Sequence, residues 1–139
     1  MIKCINKDDM NHLLTNNCDM PELGNEVKNH DDWILMEMRS EDGTNFLQGV
    51  LAAEAFHTKA GINVRMERIW VAPECRNIGF GRILVDHAKQ EAETLAEMLE
   101  SPLSSIAITL KKDDDGALQF VKKLGWSVEE RARSVIAWI

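Results

Sequence analysis

The sequence predicts a single α/β domain, residues 1–139, built on a mixed, mostly antiparallel sheet of six or seven strands flanked by helices. Three observations carry this. Apolar, β-branched segments alternate with turn sequences from residue 32 to residue 72, the spacing of an antiparallel meander. A long amphipathic helical pattern then opens at Gly81, and a further apolar strand follows it, so this helix reads as a crossover. No repeat, low-complexity tract or Gly/Ser/Pro-rich linker divides the chain.

Taken in order, "IKCI" reads as a short first strand. Asp8 or Asp9 can cap a helix carrying Met10, Leu13 and Leu14. Residues 15–31 are polar, with one Pro and one Gly, and read as loop with room for a short helix. "DWILMEMR", "NFLQGVLAAEAF" and "NVRMERIWVA" are three strands separated by the turns "EDGT" and "HTKAGI". Pro73 ends the third. From Gly81 the residues Ile83, Leu84, Ala88, Ala92, Leu95 and Leu99 recur at helical spacing. "SPLSS" breaks the helix, and "IAITL" reads as a strand buried on both faces. "DDDGALQFVKKLGW" reads as a shorter helix with Asp at its positive end, Lys at its negative end and Gly125 as C-cap. "VEERARSVIAWI" supplies one or two terminal strands. Because "SVIAWI" is apolar on both faces, it is either a buried strand or one that pairs with a second subunit.

Composition excludes several classes. At 45% hydrophobic and 28% charged the chain is ordinary for a globular protein, and no apolar run approaches the roughly 18 residues needed to span a bilayer. The N-terminus interleaves charges with apolar residues, unlike a signal peptide, so a cytoplasmic location is expected. Cys4, Cys18 and Cys75 form no C-x-x-C pair and have no His at zinc-ligand spacing, which argues for reduced thiols and no metal. A formal charge of −7 repels phosphate backbones and anionic membranes, so neither nucleic acid nor membrane is an expected partner.

The sharpest local feature is "RNIGFG", where Gly79 and Gly81 close a strand-to-helix turn. Backbone N–H groups at a helix start are unpaired and carry the positive end of the dipole, and glycine lets an anion approach them closely. Arg76 and Arg82 flank the turn, each able to add a charge-assisted bond of about 1.5–3 kcal/mol if sheltered from water. A Rossmann turn would need a third glycine where Leu84 stands, and a nucleotide-hydrolase P-loop would need Gly-Lys-Ser/Thr where Gly81-Arg82-Ile83 stands.

"VAPECRNIGFGRILV" resembles the acetyl-coenzyme A signature of the GNAT superfamily of N-acetyltransferases: a strand ending V-x-P, two residues, then Arg/Gln-x-x-Gly-x-Gly/Ala opening a long helix. "ALQFVKKLGW", Ala117 to Trp126, resembles the second helical motif of that family, downstream and after a strand. The element order fits the family fold from residue 33 onward; the first 32 residues resemble it only loosely. The resemblance implies acetyl-CoA as co-substrate. It implies that backbone N–H groups across Arg76, Asn77, Ile78, Gly79, Phe80, Gly81 and Arg82 cradle the pyrophosphate. It also implies that the strand around Ile69, Trp70 and Val71 splays from its neighbour to pair with pantetheine, with Phe120 of the second motif also at the cofactor. A strand edge can bond the two pantetheine amides as it would another strand.

Acetyl transfer to an amine needs a base, because a lysine-like amine with a pKa near ~10.4 is mostly protonated at neutral pH. Glu67 is the candidate base: family members often carry Glu on this strand, and period-two counting puts it on the face of Ile69 and Val71. Glu37 and Glu54 on neighbouring strands come next. The family usually protonates the leaving thiolate with a Tyr where this chain has Val121, and the chain contains no Tyr. Water, Ser127 or the ammonium formed on attack are the alternatives. Asp114 stands where the family often has Asn, with Lys111, Lys112, Lys122 and Lys123 nearby. His57 lies in a turn-like segment, and Cys75 beside the glycine turn lacks an adjacent His to activate it. The expected function is transfer of acetyl from acetyl-CoA to a primary amine, on a small molecule or peptide, by a monomer or homodimer. The alternatives are a GNAT-fold acyl-CoA binding protein without catalysis and an unrelated phosphate-binding domain.

Overall fold

The structure, a computed structural model, describes residues 1–24 and 32–139. In chain order its elements are β1 (Ile2–Cys4), α1 (Lys7–Asn16), β2 (Asp32–Arg39), β3 (Leu47–Thr58), β4 (Gly61–Val71), a 3-10 turn (Pro73–Cys75), α2 (Phe80–Met98), β5 (Leu103–Lys111), α3 (Asp115–Lys123), β6 (Ser127–Glu130) and β7 (Ser134–Trp138). Of the loop expected over 15–31, Thr15 and Asn16 belong to α1, residues 17–24 are neither helix nor strand, and 25–31 lie outside the described residues. The strands form one sheet in the order β1-β2-β3-β4-β5-β7-β6. Only β4 and β5, joined through α2, run parallel; every other pair is antiparallel.

Helices cover both faces. On one, α2 lays Leu84, Val85, Ala88, Ala92 and Ala96 against Ile34, Met36, Leu51, Ala53, Val64 and Met66. The three alanines recur every four residues, so they share a helix face and let its backbone lie close to the sheet. Ile83 and Leu99, expected on that stripe, are exposed; Val85 and Ala96 take their places in the core. Val121 of α3 and Trp126 belong to the same cluster. On the other face α1 buries Met10, Leu13 and Leu14 against Leu35, Val50 and Ala52. Asn6, rather than Asp8 or Asp9, caps α1: its Oδ1 accepts the Asp9 N–H at 2.8 Å, and the two aspartates fill the first turn.

The α1 face covers only part of the sheet. Ile106 and Leu110 of β5 are buried on the α2 side, but Thr109 is exposed, so β5 is not buried on both faces as its composition suggested. β7 lies between β5 and β6, with Val135 and Ala137 in the α2-side core and Trp138 exposed on the other face. The apolar C-terminus is thus an internal strand of this sheet. Among the described residues no helix is long and apolar enough to cross a membrane.

Candidate active site

β4 changes character halfway along its length. Its ladder with β5 runs from Ile62↔Leu103 to Met66↔Ile108 and stops. Beyond that point β4 stays with β3 as far as Val71↔Gly49, whereas β5 continues with β7 to Lys111↔Ser134. The strands part, leaving Glu67–Val71 without a strand on the β5 side. The Ala72 N–H donates to the Gln48 carbonyl at 2.8 Å. Since peptide groups along an antiparallel strand turn alternately toward and away from the partner, Trp70 turns to Val50, while Ile69 and Val71 turn their N–H and C=O into the gap.

A β-bulge marks the parting. The β3–β4 register passes from Ala52↔Arg68 to Ala53↔Met66, so Glu67 is an extra residue on β4. The insertion shifts the alternation of faces: Ile62, Val64 and Met66 pack toward α2, and then Ile69 and Val71 do. Period-two counting therefore misplaces Glu67. Its side chain lies on the α1 face with Arg65, away from the faces of Ile69 and Val71.

There Arg65 bridges two carboxylates, with Nε 2.6 Å from Glu67 Oε1 and Nη2 3.0 Å from Glu54 Oε2, and its guanidinium lies 5.8 Å from the Phe56 ring centre. The hydrogen bond to Glu67 is the main reason its pKa rises above the ordinary arginine value. Arg68, the second bulge residue, donates to the Glu67 carbonyl at 2.9 Å and reaches the Pro21 and Glu22 carbonyls at 3.4 and 3.3 Å. It ties the segment after α1 to the bulge, a contact no sequence pattern announced.

The other candidates separate. Glu37 is buried between Lys3 (3.2 Å) and Arg39 (3.1 Å), two strands from Trp70 in the row Glu37↔Val50↔Trp70. His57 pairs with Ile62, five residues or about 16 Å along β4 from Glu67, and bonds Ser101 Oγ at 2.7 Å. Ser127 is on the edge strand β6, two strands or about 10 Å from β5. Cys75 is buried in the 3-10 turn. Val121 is 1% exposed within the core. Among the described residues no group of three or more His, Cys, Asp or Glu is placed to hold a metal.

The glycine turn presents a row of donors. Among the described residues, none of the six N–H groups from Asn77 to Arg82 meets a protein acceptor; the first bond of α2 runs from Ile83 N–H to the Gly79 carbonyl at 3.1 Å. Asn77 (φ 64°) and Gly79 (φ 96°) are both left-handed, an alternation that turns successive N–H groups to one side as an anion-binding nest. Gly79 opens onto free space, whereas Gly81 is glycine for packing: a Cβ there would stand 2.8 Å from Phe120 Cε2. Phe120, expected at the cofactor, packs its ring against the start of α2. The two flanking arginines are engaged elsewhere. Arg82 Nη2 donates to the Lys123 carbonyl at the end of α3 at 2.7 Å, and Arg76 Nε donates to the Val71 carbonyl at 2.9 Å. Asp114 caps α3, its Oδ1 accepting the Ala117 N–H at 3.1 Å.

A strand edge with no strand beside it thus runs into six unpaired N–H groups, which suits a ligand that is part amide and part phosphate, and acetyl-CoA fits that description. Comparison with known proteins agrees on the fold. The family model for an acetyltransferase (GNAT) domain matches residues 39–128. No curated protein matches by sequence. Among solved structures, Arabidopsis thaliana NAA60 in complex with acetyl-CoA superposes with a TM-score of 0.73 at 13% identity, over 100% of this chain and 97% of that one. Arabidopsis thaliana Naa50 with a bisubstrate analogue gives 0.67 at 15% identity, over 99% and 95%. SpeG spermidine N-acetyltransferase from Vibrio cholerae gives 0.68 at 18% identity, over 100% and 92%. With the family model spanning well over half its length, the chain belongs to the GNAT acetyltransferase family.

Proposed function

We propose that the protein transfers the acetyl group of acetyl-CoA to a primary amine by direct attack. The observation that carries this reading is the continuity of the free β4 edge at Ile69 and Val71 with the N–H row from Asn77 to Arg82. Pantetheine amides would pair with the edge, and the pyrophosphate would sit on the row at the positive end of α2. Acetyl-CoA supplies an activated thioester. The chain supplies the groups around it: the gap-facing N–H groups stabilise charge developing on the acetyl oxygen, and the Glu67 carboxylate, on the α1 face at the mouth of the gap, takes the proton of the acceptor ammonium. With the cofactor phosphates on the α2 side and the acceptor on the α1 side, the two would not obstruct one another. The solved relatives acetylate spermidine or bind peptide-like bisubstrate analogues, which supports an amine acceptor of one of these kinds.

Glu67→Gln keeps the shape of the side chain and removes the base. Turnover, read as CoA-thiol release with a panel of spermidine, other amines and peptides, falls at least ~100-fold, while acetyl-CoA affinity by calorimetry is unchanged. Full turnover in the variant would remove Glu67 from this role; absence of acetyl-CoA binding by the wild type would remove the reading itself. A second reading, acyl-CoA binding without catalysis, draws on the buried Val121 where the family has Tyr and on the 2.6 Å commitment of Glu67 to Arg65. Tight acetyl-CoA binding with no turnover on any amine would select it.

A further inference from the structure

We propose that the Arg76 side chain is a movable strap on the cofactor site: it holds the free edge of β4 when acetyl-CoA is absent and transfers to the pyrophosphate when acetyl-CoA binds. The inference rests on the acetyl-CoA reading above and deepens it. Ile69 and Val71 offer four peptide groups to the gap, and one of them, the Val71 carbonyl, already accepts from Arg76 Nε at 2.9 Å. A pantetheine N–H pairing with that edge must share this acceptor with the guanidinium or displace it.

Arg76 lies at the junction of the two halves of the site. It immediately precedes the six unpaired N–H groups, and its side chain folds back along the turn to the strand edge. Its guanidinium is exposed and, among the described residues, has no carboxylate partner. Only a single bond to a neutral carbonyl keeps it there, so an arriving diphosphate, able to accept bidentate charge-assisted bonds, outcompetes that carbonyl. Arg82, tied to the C-terminal carbonyl of α3 at 2.7 Å, is the fixed counterpart. The exchange frees the Val71 carbonyl for pantetheine at the moment the phosphate end docks, and couples the two ends of the cofactor through one side chain.

The test compares acetyl-CoA with S-acetylpantetheine, which lacks the pyrophosphate. Both are titrated by calorimetry, or S-acetylpantetheine by displacement of acetyl-CoA, into wild type, Arg76→Ala and Arg76→Gln. The expected result has opposite signs: Arg76→Ala binds S-acetylpantetheine about 3–10-fold more tightly, because the edge is released. The same variant binds acetyl-CoA about 10-fold more weakly, because the charged contact is lost. Arg76→Gln keeps a donor for the Val71 carbonyl without the charge, so it matches wild type on S-acetylpantetheine and weakens on acetyl-CoA. Shifts of the same sign for both ligands, no shift with either, or failure of Arg76→Ala to bind S-acetylpantetheine overturns the strap. Failure of the wild type to bind acetyl-CoA instead overturns the parent reading.

Discussion

The two halves of β4 are built to opposite rules. From Ile62 to Met66 the strand is paired on both edges, to β3 and β5, and alternates buried apolar residues with polar ones. From Glu67 to Val71 it is paired on one edge only, and every residue is half-buried. The first half holds the sheet together; the second leaves open the hydrogen bonds a ligand can use. A single extra residue, Glu67, separates them. A strand need not be uniform: the bulge ends a ladder, sets Glu67 on the face opposite Ile69 and Val71 and leaves the apolar packing against α2 intact.

The contrast can be broken first by truncation. Met66→Ala, at a site 3% exposed, destabilises by about 2–5 kcal/mol in urea unfolding, whereas Ile69→Ala, half-buried at the gap, costs about 1–2 kcal/mol. Equal losses would mean that the gap half is as structural as the paired half. Proline then separates edges within the open half. Trp70→Pro removes an N–H that pairs with Val50 and lowers stability by about 3 kcal/mol. Val71→Pro removes one that faces the gap, so it leaves the melting temperature within a few degrees and weakens acetyl-CoA about 10-fold. A last change lies where the open half feeds the turn: Gly81→Val drives a side chain into the Phe120 ring and costs about 1–3 kcal/mol. Phe120→Ala reduces that cost in a double-mutant cycle.

Much of this was legible because it is local. The meander, the amphipathic α2 and the donor row at "RNIGFG" follow from residue spacing over a few turns. The bulge depends on how Ala52 and Ala53 of another strand fall opposite β4, yet it leaves a trace: the apolar series Ile62, Val64, Met66 resumes at Ile69 and Val71, a step of three across two charged residues. Period-two counting takes no account of that slip and puts Glu67 on the face of Ile69 and Val71. The bonds that remove Arg76 and Arg82 from the anion row join residues 5 and 41 positions apart, and only the packing of α2 on α3 and of the turn on β4 creates them. Two aspartates in the first turn mask Asn6 as the cap of α1, although Asn6 and Asp9 have the spacing of a cap and its N–H partner.

Amide hydrogen exchange with and without acetyl-CoA tests the division of β4 most directly. If the open edge and the turn hold the cofactor, saturating acetyl-CoA slows exchange at Ile69, at Val71 and across Asn77–Arg82, while Ile62–Met66, already paired on both edges, exchanges at the same slow rate with or without it. Slowing confined to other segments, or no slowing between Ile69 and Arg82 when acetyl-CoA is bound, would contradict it.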